Sequence, residues 1–420
     1  LGRSGHRGDG ECEGACSFGH VLANDLRASD QSVSPDALTP TQAVARSPRE
    51  EVAVHAQLLP GGWFMEQRAG AMRAVQLESG FTVELDGDRH AWSSASGAFA
   101  LRAAGGPLAD LGQAMSEAPS ARPTLGNLLG HAGWGMLFLE LTGRCNERCL
   151  HCYASSSPDV ETELELPQIL DILADARSLG FHTVQLTGGD PLISRHLRAA
   201  VQAAFDLGFP TLEVYTNGLA FTRSLAEFFA ERRVQMAFSL YSHRPEVHDA
   251  ITATSASHRR TLRAIRYAVE AGIEVRVSVI LRSENANDTG AVRKLVESLG
   301  VRPDQVRVDR ERPVGRGHWE ESAPLPNDEM SGAHGQVESE SAGAKLSVSY
   351  DGQVVPCIFD RRVVFGSTTN RRLAAILDAE LRVKASSGSA VSLPVLGEPL
   401  ACGDCRTRHA ILSQLEWSTT

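Results

Sequence analysis

An α/β fold built on a parallel sheet is what this 420-residue sequence predicts, and three observations predict it. From residue 136 onward, short apolar runs rich in β-branched residues alternate with longer amphipathic stretches, the rhythm of βαβ units. Several amphipathic stretches end near a glycine, at Gly180, Gly208, Gly272 and Gly300, as helix C-caps do. Residues able to do chemistry stand just after the apolar runs, which in a parallel sheet are the carboxyl ends of strands, where ligands bind.

Taken in order, the β-branched and apolar runs place strands at 137–142, 182–187, 211–216, 234–241, 273–281 and 305–310. The amphipathic stretches place helices at 167–180, 194–208, 222–232, 257–272 and 288–299. Three regions follow: 1–132, 133–325 and 335–415. The first is poor in pattern, with Gly, Ala, Ser and Pro dominating 93–125, and is expected to be partly disordered around a small accessory domain. Within it, Val75-Gln-Leu-Glu-Ser-Gly-Phe-Thr-Val-Glu-Leu85 alternates as a β-hairpin. Cys12 and Cys16 lie in a Gly-rich opening and read as incidental thiols, since two ligands do not complete a metal site.

Composition narrows the function classes. A net charge of −10, with no face dense in Lys or Arg, excludes a general nucleic-acid binder. No run of eighteen apolar residues occurs and the amino terminus lacks the apolar core of a signal peptide, so no membrane partner is expected and the cytoplasm is. That compartment keeps thiols reduced. The missing initiating Met suggests a fragment or a partial reading frame.

The most informative segment follows the first strand: Arg144-Cys-Asn-Glu-Arg-Cys-Leu-His-Cys-Tyr153. Cys145, Cys149 and Cys152 can hold three corners of a cubic iron–sulfur cluster and leave the fourth iron open. With His151 they can equally make a Cys3His zinc site. A disulfide is disfavoured by the odd number of thiols and by a chain long enough to build its own core.

The Cys-x3-Cys-x2-Cys-aromatic spacing resembles the signature of the radical S-adenosylmethionine (radical SAM) enzymes, and the six strand–helix units resemble their partial (β/α)6 TIM-like barrel over about 135–320. The resemblance implies a [4Fe–4S] cluster on Cys145, Cys149 and Cys152, with S-adenosylmethionine on its open iron and Tyr153 beside it. Thr187-Gly-Gly-Asp-Pro191 is similar to the family's Gly-Gly-Glu-Pro segment, which assigns Gly188, Gly189 and Asp190 to the cofactor. Asn217 in Tyr215-Thr-Asn-Gly218 and Ser239 in Phe238-Ser-Leu-Tyr-Ser242 occupy further cofactor positions by the same likeness. Where relatives commonly place Asp and then a carboxylate-binding Arg, this chain has Tyr241 and Thr252, leaving Arg259, Arg260 or Arg276 as substitutes. In Arg312-Pro-Val-Gly-Arg-Gly317, Arg316 either holds an anionic group or is a solvated loop residue.

Past 335 a small α+β domain is expected. Residues 344–357 form a hairpin about Asp351-Gly352 that delivers Cys357; a helix at 373–384, a Gly/Ser/Pro-rich linker and Cys402-Gly-Asp-Cys405 follow. This resembles a degenerate form of the auxiliary-cluster domain called SPASM or twitch. Cys357, Cys402 and Cys405 would hold at most one second Fe–S cluster, with the site either truncated, completed by His409 or left with an iron open to substrate, and zinc is the rival occupant. Sulfatase-maturing relatives carry an Asp directly after the hairpin Cys. Here Ile358 stands there, and Asp360 is placed on the same strand side as Ile358 as a poor replacement, which disfavours that activity.

The resemblance implies hydrogen abstraction by a 5′-deoxyadenosyl radical, with a peptide as substrate and an electron donor such as flavodoxin or ferredoxin. Trimming of tetrapyrrole side chains or construction of a small cofactor is the second enzymatic reading. A catalytically silent metal-binding scaffold is the reading from another class.

Overall fold

The computed structural model describes residues 56–68, 71–77, 81–86, 101–102, 105–117, 124–131, 133–318, 344–383 and 415–417. The expectations at Cys12, Cys16, Cys402, Cys405 and His409, and the linker, lie outside those residues.

Strands β1 (Ala56–Leu59), β2 (Trp63–Arg68), β3 (Ala71–Gln76) and β4 (Thr82–Asp86) form an antiparallel sheet in that order. The expected hairpin is the β3–β4 pair, with Val75 opposite Thr82. Both faces of β2 are buried, so Trp63-Phe-Met-Glu66 shows no polar alternation and sequence reading missed the strand. One face sets Trp63, Met65 and Met72 against Leu111 and Met115 of helix α1 (Gly106–Ser116), while Phe64 and Val75 on the other join the main core. Helix α2 (Leu125–Leu129) starts from a capping box in which Thr124 and Asn127 satisfy each other's backbone.

The main sheet runs through β5 (Trp134–Thr142), β6 (Thr183–Gly188), β7 (Thr211–Thr216), β8 (Gln235–Ser239), β9 (Val275–Leu281) and β10 (Val306–Arg310), each parallel to the next. Each lies where the β-branched runs put it, although β5 begins three residues before the expected 137. Helices α3 (Leu166–Ser178), α4 (Leu197–Asp206), α5 (Arg223–Glu231), α6 (Pro245–Thr252), α7 (Ser257–Glu270) and α8 (Thr289–Glu297) connect them. Gly180, Gly208, Gly272 and Gly300 all take positive φ after helices, as their C-cap reading requires. Helix α6 was not assigned from the sequence. Its eight residues are too few for a clear periodic signal.

The two faces of this sheet differ. Leu139, Leu186, Val214, Phe238 and Val277 point into the helices and form the core. The alternate residues are polar: Arg276 pairs with Glu213 through two hydrogen bonds at 2.7 and 3.1 Å and donates to Ser278 at 2.9 Å, and Gln185 donates to the same Glu213. The inner face therefore carries a satisfied ionic network rather than an apolar filling.

Beyond β10 the chain returns to the same sheet. Strand β11 (Ala344–Val348) pairs parallel to β5, and β12 (Gln353–Val355) and β13 (Gly366–Ser367) extend the edge. The Asp351-Gly352 turn between β11 and β12 is as expected, with Gly352 at φ 84°. Two expectations are corrected. Helix α9 covers only Leu373–Leu377, because Leu125 N–H draws the Ala379 carbonyl into an extended bridge and β14 (Leu381–Val383) pairs with β15 (Leu415–Trp417). Non-local pairing overrides helix propensity there. Residues after Cys357 are a turn, not a strand: Asp360 N–H donates back to the Cys357 carbonyl at 3.1 Å, and the Asp360 carboxylate accepts from Arg362.

Side chains tie this segment to the barrel. Asp175 of α3 accepts from Arg372 at 3.1 Å and from Ala374 N–H at 3.0 Å, which caps α9 from outside. Glu140 on β5, fully buried, meets Arg361 in an ion pair and accepts from Tyr350 N–H at 3.3 Å. Burial pushes its carboxyl up while Arg361 pulls it down. Removing the guanidinium leaves a buried carboxyl without its partner. Arg361→Ala is expected to lower stability by about 3–5 kcal/mol, read from the urea midpoint at constant slope.

Candidate active site

The cysteine loop between β5 and α3 has almost no regular structure, so neighbours must satisfy its backbone. Cys145 N–H donates to Ser157 O at 3.1 Å. Arg148 and Leu150 N–H donate to the Thr252 and Ile251 carbonyls at the end of α6, at 3.2 and 2.9 Å. The loop after β10 closes the other side: Arg316 N–H and Nε donate to the carbonyls of Cys152 and Cys149 at 3.0 Å each, and its terminal nitrogen donates to Ser156 O at 2.8 Å. A Cβ on Gly315 would stand 2.4 Å from both the Cys152 and Tyr153 carbonyls, so only glycine fits. Arg316, half-buried, braces the loop that carries the thiols.

None of Cys145, Cys149 and Cys152 forms a disulfide. Cys145 is buried and the other two are half-buried. Burial pushes the thiols of Cys145 and Cys149 well up; Asp190 acts next on the first and Glu147 on the second, and the neighbouring thiols add to both. The three sulfurs lie within one another's fields. A positively charged group binding thiolates would reverse these shifts, so the donor set fits an iron–sulfur cluster. His151 does not join them. Its ring meets Tyr241 edge-on at 4.5 Å, and burial, then Arg282 and Arg316, bring it down to about 4. Among the described residues no three His, Cys, Asp or Glu side chains are placed to share a single metal ion.

The residues carried over by resemblance gather around this loop. Added Cβ atoms on Gly188 and Gly189 would fall 2.4 Å from Thr142 O and 2.0 Å from Arg144 O, and Gly189 N–H donates to Thr142 O at 2.6 Å. These glycines let two strand-end loops touch backbone to backbone. The buried Asp190 carboxylate accepts from Leu192 N–H, Thr216 Oγ1 and Asn217 N–H at 2.9, 2.7 and 3.0 Å, and burial pushes it up to about 6. Its oxygens tie the β6 and β7 ends together. Asn217 accepts from Leu219 N–H at 2.9 Å, donates to Asn146 Oδ1 at 2.6 Å and reaches Cys145 Sγ at 3.7 Å. Ser239 is buried at the end of β8, hydrogen-bonded to Tyr241. The Tyr153 ring packs edge-on against Phe359 at 5.4 Å, and its hydroxyl lies beside Glu140 and Thr187. Of the three candidate arginines, Arg276 is committed to Glu213 and Arg259 is exposed; Arg260 donates to Leu219 O at 3.1 Å and acts on Glu147.

Sequence reasoning missed Glu147, Ser257 and His248. Tyr241 N–H donates to Nδ1 of buried His248 at 3.2 Å, and Nε2 meets Ser257 Oγ at 3.0 Å. Ser257 donates to Glu147, whose other oxygen accepts from Cys149 Sγ at 3.4 Å. The position of Glu147 between two expected ligands is the one sequence signal that could have singled it out.

Residues 139–296 match the family model described as the radical SAM superfamily. That segment belongs to the superfamily. A second match, to an iron–sulfur cluster-binding domain (SPASM), covers 341–406 and so includes Cys357, Cys402 and Cys405. Similar proteins include PqqA peptide cyclase of Streptomyces rochei, 33% identical over 46% of this chain and 52% of that one. The antilisterial bacteriocin subtilosin biosynthesis protein AlbA of Bacillus subtilis (strain 168) is 28% identical over 39% of this chain and 37% of its own length. Among solved structures, Streptococcus suis SuiB bound to precursor peptide SuiA aligns over 77% of this chain and 88% of that one at 12% identity, with a TM-score of 0.49. The chain spans about half, or less, of the length of these two curated relatives. Radical SAM domains carry a [4Fe–4S] cluster and S-adenosylmethionine, and SPASM domains carry additional Fe–S clusters. No helix among the described residues is long and apolar enough to cross a membrane.

Gly189→Ala forces its Cβ into a carbonyl and is expected to cost about 3 kcal/mol by urea unfolding. Gly290→Ala, whose Cβ would meet nothing within 4 Å, serves as a neutral control. Burial first, then His258, lowers His248 from the usual 6.5 to about 3. Between those values the unfolded chain binds the extra proton, so stability falls as pH drops through that window by about 1.4 kcal/mol per unit. His248→Gln should flatten that slope in unfolding measured from pH 7 to 4.

Proposed function

We propose that this chain is a radical SAM enzyme that modifies a peptide. The observation that carries the reading is the meeting of the three-cysteine loop at the end of β5 with Gly188, Gly189 and Asn217, the glycines at its backbone and Asn217 at Cys145, all at carboxyl ends of neighbouring parallel strands. Cys145, Cys149 and Cys152 would hold the cluster. When bound, the cluster and S-adenosylmethionine supply one-electron cleavage of the sulfonium and a 5′-deoxyadenosyl radical able to take hydrogen from an unactivated carbon.

The chain's own residues orient and enclose. The glycine pair opens a strand end to close backbone approach, Asn217 stands at the first thiol, and Ser239 lines the end of β8. Of the three candidate arginines Arg260 is the one that acts on the cysteine loop, through Glu147, and it takes the carboxylate-binding role that Thr252 cannot. Cys357, half-buried on its turn, would join Cys402 and Cys405 at a second cluster. Aspartate chemistry of the sulfatase-maturing kind is disfavoured, since Ile358 follows Cys357 and the Asp360 carboxylate is held by Arg362.

A peptide substrate is supported by the PqqA peptide cyclase and subtilosin relatives. Flavodoxin or ferredoxin would supply the electron, in the cytoplasm, where thiols stay reduced. Anaerobic reconstitution with iron and sulfide, followed by reduction with S-adenosylmethionine present, is expected to yield 5′-deoxyadenosine, and Cys149→Ala is expected to abolish it. A fully loaded chain that forms none is the silent scaffold instead.

A further inference from the structure

We propose that Glu147 is a positioning residue for Cys149, held in place by Ser257 and His248, and that this buried chain sets the redox behaviour of the cluster that the cysteines bind. The inference rests on the cluster reading above.

The hydrogen bonds have a fixed direction. Tyr241 N–H can only donate, so Nδ1 of His248 accepts and Nε2 carries the ring hydrogen. Nε2 therefore donates to Ser257 Oγ, leaving the Ser257 hydroxyl hydrogen for Glu147 Oε1. With Oε1 fixed, Oε2 is set against Cys149 Sγ at 3.4 Å. Glu147, Ser257 and His248 are 2%, 0% and 1% exposed, so water does not compete for any link. The backbone is pinned at the same place, since residues on both sides of Cys149 donate to the last carbonyls of α6, the helix that carries His248.

Hydrogen bonds and charges at cluster sulfurs set reduction potential, and outer groups that orient a ligand are part of the site. Ser257 touches no thiol in the hydrogen-bond network described; any effect it has on the cluster passes through Glu147. That makes a double-mutant cycle decisive.

The test uses the whole chain, anaerobically reconstituted, with iron and sulfide content, the midpoint potential and the electron paramagnetic resonance spectrum of the reduced cluster as readouts. Ser257→Ala is expected to keep full iron and to change the reduced-to-oxidised ratio at fixed poise about tenfold, or about 59 mV for a one-electron couple. In a Glu147→Ala background the same substitution is expected to change nothing further. Additive shifts, or an unchanged potential and spectrum in fully loaded Ser257→Ala, would overturn the proposal. So would loss of iron from Ser257→Ala while Glu147→Ala stays loaded, since Ser257 would then be acting on the fold. If the wild-type chain takes up no cluster, or keeps it after Cys149→Ala, the cluster reading fails instead.

Discussion

Backbone contact between the cysteine loop and the glycine pair is the constraint on which the rest of the site depends. A loop with almost no regular structure, carrying three thiols, must place its carbonyls and amides somewhere. The ends of β6, α6 and the segment after β10 receive them. Gly188 and Gly189 permit the closest of these approaches, and Gly315 repeats the device on the opposite side. The loop is therefore shaped from three directions by main-chain atoms, and side-chain chemistry is added to a frame already fixed.

Burial and charge then divide the work. The helix-facing side of the sheet is apolar and supplies cohesion, whereas the inner side keeps Glu213, Arg276, Gln185 and Ser278 mutually satisfied. Glu140 and Arg361 join barrel to carboxy-terminal segment by an ion pair whose carboxylate is fully buried and depends on the guanidinium. Asp190 does the same between strand ends, with three donors on one carboxylate.

Much of this was legible in the chain itself. The six parallel strands follow from β-branched runs, and the C-cap glycines from their spacing, because both are local signals. The cysteine loop and its glycine partners were legible as motifs. What was not legible is long-range. Arg316 reads as a loop residue until it is seen to reach back across the structure to Cys149, and Glu147 has no role to read until it is seen joined to Ser257 and, through it, His248. The helix expected over 373–384 was cut short by Thr124 and Leu125, partners some 250 residues away in sequence, which no local propensity announces.

Strand β11 sits directly beside β5, and β12 beside β11, so the two cysteine-bearing segments hang from one hydrogen-bonded lattice. The first thiols follow β5 and Cys357 follows β12, two strand positions over and, because β12 runs antiparallel to β5, toward the opposite end of the strands. Strand spacing of about 4.8 Å makes that lateral offset about 10 Å. The sheet fixes this lateral step by main-chain hydrogen bonds, and the antiparallel turn at Asp351-Gly352 reverses the direction in which the second cysteine segment leaves it.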